Sequence, residues 1–125
     1  MSKKLQLEGV TYLEESDFNN NGDLIADIPK DMKVVIMIQA DFCIWCKKAK
    51  PEFIEFAKNA RKNNVLPCSI QTDGSKADFG DFGNKMSKIS DDRGVPNFVI
   101  YEGGKKIDKK FTGERTAVAF LNFSK

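Results

Sequence analysis

The spacing of apolar residues predicts strands that alternate with helices. An almost unbroken apolar run over 32–38 is typical of a strand that is covered on both faces. Over 43–62 the apolar residues recur at helical spacing, with lysines and glutamates on the opposite side. Asp41 is the predicted N-cap of this helix, and the Asn63-Asn64 pair its predicted end. Residues 65–72 form the next predicted strand, so the centre of the chain is a strand–helix–strand unit.

The same pattern continues on both sides of this unit. The other predicted elements are a short apolar run at 10–13, a broken helical pattern at 14–28, an irregular stretch at 76–92 that becomes helical near Met86 and Ile89, strands at 97–101 and 105–111, and a helix at 115–123. Gly103 and Gly104, between the last two strands, are typical of a hairpin turn. We therefore expect a single α/β domain over 1–125. Its central mixed β-sheet would have helices on both faces and would end in a β-hairpin and a helix.

Composition narrows the class of protein. The 125 residues carry a net charge of +2, without the strong basic bias of nucleic-acid binders. The lysines near Met1 are followed by neither a secretory signal nor a segment long enough to span a membrane. Three cysteines do not suit a secreted disulfide scaffold. We expect a cytoplasmic monomer that binds neither nucleic acid nor membrane, although a mature periplasmic protein would have the same composition.

The chemistry-bearing motif is a C-x-x-C pair, Cys43 and Cys46, at the predicted start of the helix. Free backbone N–H groups and the helix dipole at this end favour a thiolate, which attacks disulfides or binds metal. Structural zinc needs four ligands, yet the chain has no histidine and only one further thiol, Cys68. Carboxylates would have to complete such a site. The sequence therefore favours a redox pair and predicts neither a metal nor a cofactor.

Residues around this motif resemble the thioredoxin-like family. Lys47 follows the second thiol, and Pro51 comes five positions after Cys46, where the family usually bends its active-site helix. The segment 93–96 is similar to the family's loop with a cis-proline, and it is followed by a strand, a glycine turn, a second strand and Gly113. The match covers most of the chain. It implies a thioredoxin fold with a redox-active disulfide between the C-x-x-C thiols.

The expected mechanism is thiol–disulfide exchange with protein disulfides. Cys43, at the first helical turn, would be the more exposed thiol and attack, and Cys46 would resolve the mixed disulfide. The resemblance implies a cis Val95–Pro96 bond, with Val95 offering its backbone to an extended substrate segment. Thioredoxin reductase or a glutathione system would return the electrons. The expected substrate-binding residues are Phe42, Ile44, Trp45, Val95, Pro96 and Gly113.

The chain departs from ordinary thioredoxins at three points. Ile44-Trp45 replaces the Gly-Pro pair between the thiols, and Phe42 stands where a Trp is usual. Met37 stands where a buried Asp usually takes the proton of the resolving thiol, so slower resolution is a hypothesis. The stretch 73–96 is longer than usual. The redox potential therefore stays open.

Other interpretations of the same residues stay open. The fold could be a binding module that uses Trp45, Val95 and Phe79, with incidental thiols, or the enzyme could be an isomerase or an oxidant. A glutaredoxin is a third alternative, but no glutathione-binding motif is evident. Cys68 is interpreted as an inert core thiol. Phe79 and Phe82 are expected to pack against the core, with partner binding as the alternative.

Overall fold

The structure is a computed structural model that describes residues 9–40, 43–72, 88–90 and 95–125. Five strands form one sheet in the order β1-β3-β2-β4-β5. β1, β2 and β3 are parallel, whereas β4 is antiparallel to β2, and β5 is antiparallel to β4. The strands and α-helices of the described residues are β1 (Thr11–Tyr12), β2 (Lys33–Gln39), α1 (Ile44–Ala60), β3 (Val65–Gln71), β4 (Asn97–Glu102), β5 (Lys105–Lys106) and α2 (Ala117–Phe123). Short 3-10 helices span Glu15–Asp17 and Arg61–Asn63.

β2 lies at the centre of the sheet and pairs along its length with both neighbours. Met37, for example, stands opposite Ser69 of β3 and Phe98 of β4. Every residue of β2 after Lys33 is buried. This confirms the strand predicted at 32–38, and it explains the continuous apolar run, because both faces of β2 contact a core.

One face of the sheet packs against α1 and α2 through a cluster of aromatic rings. Phe53 and Phe56 of α1 meet Phe120 of α2 at centroid separations of 5.3 and 5.9 Å. Phe98 of β4 lies 4.7 Å from Phe120. All four rings are buried. Aromatic packing at these distances contributes beyond simple burial and fixes the two helices on this face.

The opposite face is covered by the segment before β2 and by Ile89, which lies in helical conformation. Phe18 and Leu24 pack here, and Phe18 contacts the ring of Tyr101 edge-on at 5.8 Å. The buried Tyr101 hydroxyl donates a hydrogen bond of 2.7 Å to the Gly22 carbonyl. Both faces of the mixed sheet are therefore covered, which confirms the predicted thioredoxin fold. Met86, the other residue of the helix predicted there, lies outside the described residues.

The helical pattern predicted at 14–28 is wrong. This segment holds only the 3-10 turn Glu15–Asp17 and an isolated bridge between Phe18 and Leu24. The Asn19 side chain accepts hydrogen bonds from the backbone N–H groups of Asn21 and Asp23, so it competes with helix formation. Gly22 has a positive φ of 83°, which fits a turn. Of the apolar residues that suggested a helix, Phe18 and Leu24 cover the sheet, whereas Ile25 is 58% exposed.

The hairpin forms as predicted but its second strand is shorter. Gly103 and Gly104 both have positive φ, as a tight two-residue turn requires. β5 ends at Lys106, whereas the sequence predicted a strand to 111. The Ile107 N–H still donates to Ile100, but the Lys109 N–H then turns back to the Ile107 carbonyl at 2.9 Å. This three-residue turn ends the pairing.

The predicted helix ends need one small correction. Asn64 has a left-handed φ of 61° and ends the segment after α1, as predicted. The last helix begins at Ala117 and not at Arg115, because Thr116 is its N-cap and accepts from the Ala119 N–H at 3.2 Å. Pro51 lies inside α1, which continues on both sides of it.

Candidate functional site

Cys43 is the N-cap of α1. Its backbone is extended, and its Sγ accepts a hydrogen bond of 3.0 Å from the Cys46 N–H. The sequence had predicted Asp41 as the cap, and that residue lies outside the described part of the chain. The Cys43 Sγ thus satisfies one of the backbone N–H groups that a helix leaves free at its first turn.

The two thiols of the motif differ in exposure in the predicted order. Cys43 keeps 6% of its surface exposed and Cys46 none. Both are free thiols. Burial is the main cause that raises the pKa of Cys46 to about 12, and the neighbouring Cys43 adds to it. The Ala40 backbone and the charge of Lys50 act in the opposite direction. The buried Cys46 thiol is therefore protonated at neutral pH.

Met37 lies in the core cluster that contains both thiols of the motif, and it is fully buried. Met37 carries no titratable group that could receive the Cys46 proton. Among the described residues, no carboxylate contributes to the pKa shift of Cys46. The structure thus agrees with the sequence in giving Cys46 no buried acid at position 37 for its proton.

The loop before β4 meets the thiol at the start of α1. The Val95–Pro96 peptide bond is cis, as the resemblance implied. The Cys43 thiol donates to the Val95 carbonyl at 3.5 Å, although 52 positions separate the two residues. Val95 is half-buried and packs against the cores on both faces of the sheet. The two predicted parts of the site are therefore in contact.

Two large apolar side chains beside the thiols are exposed. Ile44 is 61% and Trp45 57% exposed, and the Lys48 Nζ lies 4.8 Å from the centroid of the Trp45 ring. Gly113 is also exposed, and a Cβ added there would meet only Ala119 at 3.9 Å. Glycine at 113 is thus not required by packing within the chain. Its predicted role in substrate contact stays a prediction, and Phe42 lies outside the described residues.

Cys68 belongs to a different environment from the motif thiols. It sits in β3 on the opposite face of the sheet, fully buried, and burial raises its pKa. The structure gives it the surroundings of an inert core thiol, as predicted.

Sequence reasoning missed Lys50, whose charge lowers the pKa of Cys46. The spacing of four residues from Cys46 on the helix would have been the signal.

The match to known proteins agrees with this geometry. Residues 10–125 match the family model described as Thioredoxin. The thioredoxin-like protein 453L of Invertebrate iridescent virus 6 is 34% identical over 110 residues, which cover 79% of this chain and 80% of that protein. The chain belongs to the thioredoxin family. It is a thioredoxin-like domain of the thiol–disulfide oxidoreductase class, with its C-x-x-C pair placed at the start of α1.

Solved structures with the same fold come from protein disulfide isomerase relatives. The first thioredoxin domain of mouse protein disulfide-isomerase A4 superposes with a TM-score of 0.67 at 22% identity, covering 97% of this chain and 77% of that one. Human ERp44 gives a TM-score of 0.68 at 15% identity, covering 97% of this chain but only 29% of that one. At these identities the likeness concerns the fold alone.

The described residues form neither a membrane-spanning helix nor a metal site. No helix in 9–40, 43–72, 88–90 or 95–125 has the length and hydropathy of a membrane span. Within the same ranges, no group of three or more His, Cys, Asp or Glu side chains is placed to hold a metal ion.

Proposed function

We propose that this protein reduces disulfide bonds in other proteins. The Cys43 thiolate attacks one sulfur of the substrate disulfide, forming a mixed disulfide and releasing one substrate thiolate, which takes a proton. The observation that carries this proposal is the Cys43 Sγ at the N-cap of α1, within 3.0 Å of the Cys46 N–H and 3.5 Å of the Val95 carbonyl. The Cys46 N–H donates to the sulfur that attacks, and the Val95 carbonyl accepts a hydrogen bond from the Cys43 thiol in the absence of substrate. The small exposed fraction of Cys43 leaves the sulfur open to a partner.

Cys46 then completes the reaction. Its thiolate attacks the Cys43 sulfur, the second substrate thiolate leaves, and a Cys43–Cys46 disulfide forms. Two electrons pass to the substrate. Loss of the Cys43 thiolate on forming the mixed disulfide removes one of the causes that raise the pKa of Cys46. Its proton goes to solvent, since Met37 offers no acceptor, and we expect resolution to be the slow step.

The substrate surface is the exposed apolar patch around these thiols. Ile44 and Trp45 are its exposed members on α1, and the half-buried Val95 borders it from the facing loop. Pro96 is buried behind Val95 in the chain, so we expect it to shape the loop under the substrate. An extended substrate segment would pair with the Val95 backbone and displace the Cys43 thiol from its carbonyl. We expect Phe42 and Gly113 to contact the same substrate segment.

The remaining parts of the proposal concern partners and location. Thioredoxin reductase or a glutathione system would reduce the Cys43–Cys46 disulfide again. The protein would act as a cytoplasmic monomer without nucleic acid or membrane. The net charge of +2 and the three cysteines support this view.

The high pKa of Cys46 favours a second candidate, a disulfide isomerase. A resolving thiol that is mostly protonated lengthens the life of the mixed disulfide, which gives the substrate time to rearrange its own disulfides. The isomerase needs the same Cys43 nucleophile but a less reducing couple. The two candidates therefore differ in the equilibrium of the Cys43–Cys46 pair.

The deciding experiment measures the reduction potential of this pair in defined thiol/disulfide buffers. The fluorescence of Trp45 reports the fraction of protein that is oxidised. A value near the thioredoxin level of about −270 mV supports the reductase, and one near −180 mV supports the isomerase. Cys68→Ser is the matched control, because it removes a thiol that lies on the other face of the sheet. If no reversible couple forms, both redox proposals are wrong and the binding module replaces them.

A further inference from the structure

The two sides of β4 are paired unequally. On its inner side, Asn97–Glu102 pairs with β2 along the whole strand. On its outer side, β5 pairs only with Tyr101 and Glu102, and the Ile107 N–H adds one bond to the Ile100 carbonyl. Within the described chain, no strand pairs with the first half of β4 on that side. This half is the end that adjoins the thiols.

A cavity of about 330 Å³ occupies the place where a longer β5 would have run. The chain leaves the edge of β4 at the Lys109 turn, and further along it the Phe111 ring packs against Phe98 at a centroid separation of 5.0 Å. One wall is the edge of β4, from Asn97 to Val99, and the other is the segment from Lys106 to Thr112. We call this cavity the edge slot. Its size is at the lower end of cavities that hold small ligands or a few residues of peptide.

The side chain of Asn97 occupies a position that a neighbouring strand would otherwise fill. Its Oδ1 accepts the Phe98 N–H at 2.9 Å, and its Nδ2 donates to the Ser90 hydroxyl. The Phe98 N–H therefore points into the edge slot, and a side chain satisfies it. An incoming strand could take over this bond by displacing one rotatable amide.

The charges around the edge slot are mostly positive. Among the described residues that line it, Lys106, Lys109 and Lys110 stand against one carboxylate, that of Asp108. Lys109 is held away, since its Nζ donates to the Phe123 carbonyl at 2.9 Å and lies 5.5 Å from that ring. Lys110 is exposed. An occupant that carries carboxylates is therefore favoured over one that carries cations.

We propose that the edge slot binds an extended acidic segment of a partner protein, which adds as a strand to the outer edge of β4. The slot begins at Asn97, two residues beyond Val95, whose carbonyl contacts Cys43. Two residues of an extended partner segment span about 7 Å, which is the reach needed to pass from Val95 to Asn97. A segment in the slot can thus belong to the same molecule whose disulfide reaches Cys43. Only this last step rests on the proposed function, because binding in the slot needs no thiol.

The test uses the full chain with both motif thiols replaced, as Cys43→Ser/Cys46→Ser, and a fluorescein-labelled peptide of eight residues that alternates Glu and Val. Fluorescence polarisation should show it binding at least about tenfold more tightly than the Lys/Val peptide of equal length. Binding should weaken as salt rises. A Glu/Val peptide that is N-methylated at alternate residues cannot form strand hydrogen bonds, and we expect it to lose about tenfold in affinity or more.

Two exposed substitutions in the slot should act in opposite directions. Lys110→Glu should weaken binding of the Glu/Val peptide about fivefold, and Asp108→Asn should tighten it about twofold. Lys62→Glu is the matched control: it makes the same charge change on an exposed residue just after α1, outside the lining of the slot. Equal binding of the Glu and Lys peptides, undiminished binding of the N-methylated peptide, or an equal effect of Lys62→Glu would each overturn the proposal.

Disulfide reduction by the unmodified protein is measured in parallel. If the peptide binds as expected but the protein reduces no disulfide, the binding proposal for the edge slot is supported and the proposed function is contradicted. Activity with no charge preference in peptide binding contradicts only the edge slot. The two proposals can therefore fail separately.

Discussion

The motif thiols and Cys68 form a comparison within one molecule. All three side chains are buried, and burial raises the pKa of both Cys46 and Cys68. What differs is the local backbone. Cys43 caps a helix and accepts an N–H, whereas Cys68 lies in the middle of β3 between two paired strands. We therefore expect the position at the end of an element, and not the residue type, to decide which of these thiols reacts.

The largest expected effect comes from exchanging each thiol for a hydroxyl. Cys43→Ser should lower the rate of insulin disulfide reduction at least about a hundredfold, because serine provides no thiolate. Cys68→Ser should change it less than twofold. Cys46→Ser should accumulate a mixed disulfide, visible by mass spectrometry as one substrate chain attached to the protein. Turnover that survives Cys43→Ser would contradict the proposed function.

The second prediction concerns a substitution that places an acidic side chain at position 37. Met37→Asp should lower the free energy of unfolding by about 3 kcal/mol at pH 8, since a carboxyl group is buried without a partner. Burial should raise the pKa of this carboxyl group. The loss should therefore be smaller at pH 5, where the group stays protonated, and grow as the pH rises. Urea unfolding at the two pH values measures both.

Met37→Leu is the control for this change, because it conserves volume and adds no charge. The carboxylate should also shorten the life of the mixed disulfide by accepting the Cys46 proton. An unchanged lifetime in a folded Met37→Asp protein would mean that proton acceptance at position 37 does not limit resolution.

The sequence predicted the centre of this site better than its surroundings. The apolar run of β2, the helical spacing of α1 and the C-x-x-C pair are local signals, and the structure has all three. The cap was misassigned because Asp is a common N-cap, and nothing local shows that the Cys43 sulfur takes this role. The contact between Cys43 and Val95 joins residues 52 positions apart, so only the family resemblance suggested it.

The segment at 14–28 shows the limit of periodicity. Phe18 and Leu24 both reach the sheet, but they are six positions apart and the side chain of Asn19 forms a turn between them, so no helix carries them. The early end of β5 was equally hidden, since it depends on a turn at Lys109 that no glycine or proline marks. In these two segments, the apolar pattern predicts burial at Phe18 and Leu24 better than it predicts whether the backbone is a helix, a strand or a turn.

A third prediction concerns stability at high pH. A thiol whose pKa is raised on folding stays protonated in the folded state and ionises in the unfolded state above about pH 8.5. Its contribution is complete below that pH and is lost as the pH rises toward the folded pKa. The reduced protein should therefore lose stability between pH 8.5 and 10. Cys68→Ser should remove about 1.4 kcal/mol per pH unit of this slope.

Guanidinium unfolding of the reduced protein and of Cys68→Ser at pH 7, 9 and 10 provides the measurement. The difference between the two slopes isolates Cys68, because every other titrating group is shared. Parallel slopes for the two proteins would contradict the burial argument for this thiol.

The smallest expected effect tests the electrostatic part of the comparison. The charge of Lys50 lowers the pKa of Cys46, whereas burial raises it. In a Cys43→Ser/Cys68→Ser background, Lys50→Gln should therefore slow the alkylation of Cys46 by iodoacetamide about twofold, since less thiolate is present. Lys58→Gln is the matched control on the same helix, where the lysine pairs with Glu55. The effect of Lys50→Gln should fade in high salt, because salt screens the charge of a partly exposed lysine. A twofold loss that persists at 1 M salt would instead indicate that Lys50 acts on Cys46 through packing.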